Sequence, residues 1–129
     1  MKNQLQDSVI AITGAGSGIG RSLALECARQ GAMLAISDIN LEALQVTKSQ
    51  VLAQSPNTDV LIHEINVADK DQVFQWSEDV FAHFGKVNVI INNAGVALSA
   101  TVEAMQYEDF EWLMDINFWG VVHGCKAFL

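Results

Sequence analysis

The chain has 129 residues, half of them hydrophobic and only one a proline, which suits a single packed domain and excludes a disordered or proline-rich polymer. Its formal net charge of −8 argues against nucleic acid and anionic membrane surfaces as partners and reads as a solubility feature. Cys27 and Cys125 lack CxxC or metal-ligand spacing and His63, His83 and His123 stand alone, so no metal is expected, and the thiols suit a reducing compartment.

The polar start MKNQLQDS leads into an apolar run too short for a signal peptide or membrane span, which makes the cytoplasm the expected location. Val9 to Ile12 reads as a strand. Ile19, Leu23 and Cys27 then recur every four residues, a helical stripe with Ala24 and Ala28 beside it, and Gly31 ends the helix. Met33 to Ser37 is a second strand. Asn40 is the expected N-cap of a helix carrying Leu41, Leu44 and Val51, which Ser55-Pro56-Asn57 breaks. A third strand runs near Val60 to Ile65. Asp69 and Gln72 have capping-box spacing and open a helix through Val73, Trp76, Val80 and Phe84, closed by Gly85. Val87 to Ile91 is a fourth strand, and a last helix begins near Tyr107 and runs to Leu129. Strands that are apolar throughout and alternate with helices imply a parallel α/β sheet covered on both faces. Right-handed crossovers make it doubly wound, of Rossmann type, in the order 3-2-1-4, with the ligand crevice at the carboxyl ends of the strands.

The stretch TGAGSGIG, residues 13–20, follows the first strand and places four glycines on alternate positions. The fingerprint GxGxxG fails, because Gly14 and Gly16 would need a glycine where Ile19 stands, and Gly16 and Gly18 meet Arg21. A P-loop also fails, since Ala15 replaces its first glycine and Arg21 its lysine. TGxxxGxG fits, through Thr13, Gly14, Gly18 and Gly20. Gly14 allows a sharp turn, Gly18 clears a side chain where backbone approaches a pyrophosphate, and Gly20 lets the helix pack close with its N–H groups facing the phosphates. A merely tight turn needs one or two glycines rather than four.

TGAGSGIG resembles the cofactor loop of the short-chain dehydrogenase/reductase family. Ile91-Asn92-Asn93-Ala94-Gly95 is similar to that family's NNAG motif after the fourth strand, and Asn117 in INFWG to its helical asparagine. The resemblance covers nearly the whole chain and implies a dinucleotide-binding domain over residues 1–129. It places Gly14, Ser17, Gly18, Ile19 and Gly20 at the cofactor. Asp38, at the end of the second strand with no basic residue after it, suits a ribose 2′-hydroxyl and repels a 2′-phosphate, so the cofactor implied is NAD rather than NADP. The other reading of Asp38 is a solvated loop carboxylate that caps the next helix. Asn66-Val67 stands where the family usually has Asp-Val at the adenine edge; an Asx-turn before the helix is the alternative for Asn66. In the family the NNAG segment both ties the sheet together and lines the cofactor pocket; Asn93, Ala94 and Gly95 are assigned to cofactor contact, and Asn92 to a purely structural role.

Asn117 falls on a helical stripe with Phe110, Leu113, Met114, Val121 and Cys125, and a buried amide there needs partners. It is either satisfied by a neighbouring strand or, as the resemblance implies, holds a water of a catalytic proton relay. Tyr107 is not the family's YxxxK tyrosine, because Glu111 stands four residues on and Asn117 comes after it. Trp76, Trp112 and Trp119 are expected to pack rather than to meet substrate. The resemblance covers the family's first half, so the catalytic serine and YxxxK are expected beyond these residues, in an oxidoreductase acting on a small alcohol or carbonyl compound and homo-oligomeric when complete. Alone, the stretch is expected to be marginally stable or self-associating. The alternative is a non-catalytic dinucleotide-binding or regulatory module.

Overall fold

The computed structural model describes residues 4–129, so the first three residues of the polar start lie outside the described residues. Strands β1 (Val9–Ile12), β2 (Met33–Asp38), β3 (Val60–Glu64) and β4 (Val89–Ile91) form one sheet in the order β3-β2-β1-β4. Every pairing is parallel, with Ile10 opposite both Leu34 and Val89. This is the doubly wound arrangement that the alternation of elements implied. Because side chains alternate across a strand, Ile10, Ile12, Leu34 and Ile36 fill one face of the sheet and Ala11 and Ala35 the other. Helices α1 (Gly18–Arg29) and α2 (Leu41–Gln54) cover the isoleucine face. Helix α3 (Lys70–Phe84) covers the alanine face, where the small sheet residues make room for the fully buried Trp76.

The helix starts follow local chemistry. Asn40 caps α2 by accepting the Ala43 N–H at 3.0 Å, and Asp69 caps α3 by accepting those of Asp71 and Gln72. The reciprocal half of the expected capping box is absent, because the Gln72 side-chain oxygen accepts the N–H of Asn66 and not that of Asp69. Ile19 departs from its stripe: it is 73% exposed, and α1 buries Gly20, Ala24, Cys27 and Ala28. Small residues win that face because α1 lies so close to the loop before it that a Cβ on Gly20 would run into the Gly14 carbonyl oxygen. Cys27 is buried, which pushes its thiol pKa up, whereas Cys125 is exposed.

The last helix is not continuous. Helix α4 (Tyr107–Met114) passes through a π-helical turn (Asp115–Trp119) into α5 (Gly120–Phe128). A π turn inserts one residue, so the stripe read across positions 110–125 no longer lies on one face. Phe110 and Met114 are 37% and 45% exposed, and Trp112 and Trp119 are half exposed rather than packed. Gly120 brings α5 onto the alanine face: a Cβ there would sit 2.9 Å from Val67 Cγ2, and Phe128 meets Trp76 edge-on at 4.9 Å. No helix among the described residues is long and apolar enough to cross a membrane.

Candidate functional site

A cleft of about 410 Å³ opens at the carboxyl ends of the strands, a size suited to a small-molecule or cofactor site. Gly14, Ser17, Gly18 and Ile19 line it from the glycine loop, Asp38 from β2, Asn66 and Val67 after β3, and Asn93, Ala94 and Gly95 after β4. Four segments far apart in sequence are thus brought to one crevice. Gly20 stands behind the wall as a packing position, and Asn117 is not on the lining, although its neighbour Ile116 is. Ile39, Ile65, Val96 and Ile116 complete the wall. Their apolar character gave no signal in the sequence, since core residues look the same.

The glycine loop is held by an almost complete set of bonds. The N–H groups of Thr13 and Ala15 donate to the carbonyls of Ile91 and Ser37, at 3.1 and 3.0 Å. The Asn93 side-chain amide donates to the carbonyls of both Thr13 and Gly14, at 3.1 Å each, while the Ala94 N–H donates to Thr13 Oγ1 at 3.0 Å. The Ala15 carbonyl accepts the Thr47 hydroxyl at 2.8 Å, and the Gly16 carbonyl accepts Arg21 Nη2. Among the described residues, the N–H groups of Ser17, Gly18 and Ile19 have no protein acceptor, and the Ser17 side chain does not cap the helix. These are the orphan donors of a helix start, and they favour an anion. At Gly18 the backbone is left-handed, φ +53°, and a Cβ would meet nothing within 4 Å, so the space in front of these amides is clear. The residues present therefore fit the phosphates of a dinucleotide.

Asp38 is fixed at both oxygens. Oδ2 accepts the N–H of Gly16 at 2.9 Å and Oδ1 that of Asn40 at 3.0 Å, so the carboxylate spans the loop and the start of α2. Each oxygen keeps a lone pair, and Asp38 lines the cleft. Asn66 uses its side-chain oxygen in an Asx-turn to Ala68 N–H at 3.0 Å and also borders the cleft. Asn93 spends both amide hydrogens as a brace between β4 and the loop. Asn92, assigned a structural role, packs against α5: its Nδ2 donates to Cys125 Sγ at 3.5 Å, and its Oδ1 is buried beside Gly124 without a hydrogen-bond partner among the described residues.

Asn117 is exposed within the π turn rather than buried on a stripe. Its Oδ1 accepts the N–H of Val96 at 2.8 Å and its Nδ2 donates to the Val96 carbonyl at 2.7 Å. The side chain thus acts as a strand-like partner to the segment leaving β4, next to Gly95 on the cleft wall.

A doubly wound parallel sheet with a glycine loop after β1 and a carboxylate at the tip of β2, both lining the cleft, is a Rossmann-type arrangement. The family profile for short chain dehydrogenases matches residues 8–129, and the chain belongs to that family. SadH of Mycobacterium tuberculosis, which carries the name of an oxidoreductase, is 42% identical over 127 residues, 98% of this chain and 45% of its own length. A short chain dehydrogenase/reductase from Burkholderia phymatum, solved in complex with NAD, superposes with a TM-score of 0.92 at 32% identity, covering 97% of this chain and 44% of that one. An alcohol dehydrogenase from Thermococcus sibiricus, solved with 5-hydroxy-NADP, gives 0.91 at 30% identity, covering 95% and 52%. The chain spans about half the length of these relatives.

Proposed function

We propose that this chain supplies the NAD-holding part of an oxidoreductase that moves a hydride between NAD(H) and a small alcohol or carbonyl compound. Membership of the short chain dehydrogenase family supports the reaction class. The observation that carries the choice of NAD is Asp38. Its carboxylate is held in place by two backbone N–H groups, with lone pairs left for a ribose hydroxyl. A 2′-phosphate would bring nearly two more negative charges against that carboxylate. The nearby cation, Arg21, does not relieve the repulsion, because its guanidinium is engaged with the carbonyls of Gly16 and Ala43 and with the Thr47 hydroxyl.

The orphan amides at 17–19 would hold the diphosphate and Asp38 the adenosine ribose. Asn66 and Val67 would border the adenine, and Asn93 to Gly95 the far wall. The nicotinamide, when bound, supplies the hydride acceptor. Asn117 acts on this site by holding Val96, and with it the edge of the far wall. Its side-chain amide spends one lone pair and one hydrogen on Val96, and a relay water there would have to use the lone pair and the hydrogen that remain. The test is a titration of the full-length protein with NAD+ and NADP+. NAD+ should bind at least about tenfold more tightly, and Asp38→Ala should remove most of that preference. A preference that survives Asp38→Ala unchanged sinks the assignment.

A further inference from the structure

Arg21 and Thr47 do not line the cleft, yet both reach into the loop that does. Thr47 is a fully buried polar residue on α2, between Leu44 and Val51, where an apolar side chain would pack as well. Its hydroxyl donates to the Ala15 carbonyl at 2.8 Å and accepts from Arg21 Nε at 2.9 Å. Arg21 in turn places Nη2 on the Gly16 carbonyl, with a further contact to the Ala43 carbonyl at 3.3 Å. The guanidinium has no carboxylate partner among the described residues, so its donors are committed to carbonyls and a hydroxyl.

The geometry points to a positioning clamp that sets how tightly the loop grips the diphosphate of the cofactor. In a planar trans peptide the N–H points opposite to the C=O, and no peptide here is cis. Holding the Gly16 carbonyl on the α2 side therefore sends the Ser17 N–H to the opposite side, where Ser17 lines the cleft. Holding the Ala15 carbonyl on Thr47 likewise sends the Gly16 N–H toward Asp38, which accepts it at 2.9 Å. Without the clamp, the Gly16–Ser17 peptide can turn over and aim the Gly16 carbonyl oxygen at the phosphates, and the Ala15–Gly16 peptide can turn its carbonyl oxygen toward Asp38 and release the loop from it. Each peptide carries a dipole of about 3.5 D, so one such turn replaces an attraction by a repulsion. Glycine at position 16 makes that turnover easy, which is why it needs a restraint.

The clamp rests on the NAD-binding reading above, and its test separates the two. NAD+, ADP and adenosine are titrated into the full-length protein and its variants by calorimetry or ligand-observed NMR. Arg21→Met keeps the aliphatic stem and Thr47→Val keeps the shape, while both lose the grip on the loop. Each should lose about tenfold in affinity for ADP and NAD+ while adenosine binding stays within about twofold. Thr47→Ser, which keeps the hydroxyl, should restore ADP binding. Thermal melting of each variant shows whether it is folded. A wild-type protein that binds none of the three ligands overturns the NAD reading and the clamp with it. A wild-type protein that binds NAD+ overturns the clamp alone if Arg21→Met and Thr47→Val keep their ADP affinity. Loss of ADP and adenosine in equal measure, or failure of Thr47→Ser to restore ADP binding, also overturns it.

Discussion

Trp76 and Trp112 are the same side chain on two amphipathic helices of one chain, and they end in opposite places. Trp76 is fully buried between α3, the alanine face of the sheet and Phe128, whereas Trp112 is 47% exposed on α4. The contrast extends to their surroundings: α3 buries Val73, Trp76, Ser77 and Val80, while α4 and the π turn bury nothing. Apolar periodicity therefore marks which side chains are suited to burial and says nothing of what covers them. In the first region the cover lies within the same stretch of chain. In the second no cover is found among the described residues, and Phe118 and Trp119 are about as exposed as Trp112.

Substitution can break this contrast directly. Trp76→Ala should have the largest effect, about 3–5 kcal/mol of destabilisation in urea unfolding, because it empties a fully buried site. Asn117→Ala comes next, at about 1 kcal/mol, since it removes two hydrogen bonds that solvent can partly replace. Hydrogen exchange should show that loss locally, as faster exchange of the Val96 amide with little change in β1 or β2. Trp112→Ala should cost least, under about 0.5 kcal/mol in the isolated 129-residue stretch. Equal losses at Trp76 and Trp112 would remove the distinction between the two regions. A global rather than local response to Asn117→Ala would mean that the π turn is part of the main cooperative unit.

Much of the fold was legible because its signals are local. The apolar runs at β1 to β3, the caps Asn40 and Asp69, and Gly85 at the end of α3 each depend on a few adjacent residues. The cleft was legible through the glycine spacing and the polar residues at strand ends, since the doubly wound order brings those ends together. Three features were not. Ile19 follows a four-residue spacing but faces outward, because the closeness of α1 to the loop reserves the inner face for Gly20 and Ala24. The π turn depends on how α5 seats Gly120 against Val67, a contact more than fifty residues apart in sequence. Arg21 looked like a failed P-loop lysine, and its actual partners, Thr47 and Ala43, are visible only once α2 is in place.

The brace formed by Asn93 also bears on the order in which the molecule can be assembled. Thr13 and Gly14 leave the ribosome early, but the groups that hold them, the Ile91 carbonyl, the Asn93 amide and the Ala94 N–H, are made some eighty residues later. During synthesis β1, β2 and their helices can associate while the glycine loop still lacks half of its anchors. Such distant pairings are slow to close, because the chain between them must first give up its freedom. The glycine loop, first in the sequence, is then among the last parts of the domain to become rigid, and the cleft it lines takes its final shape only when β4 joins the sheet.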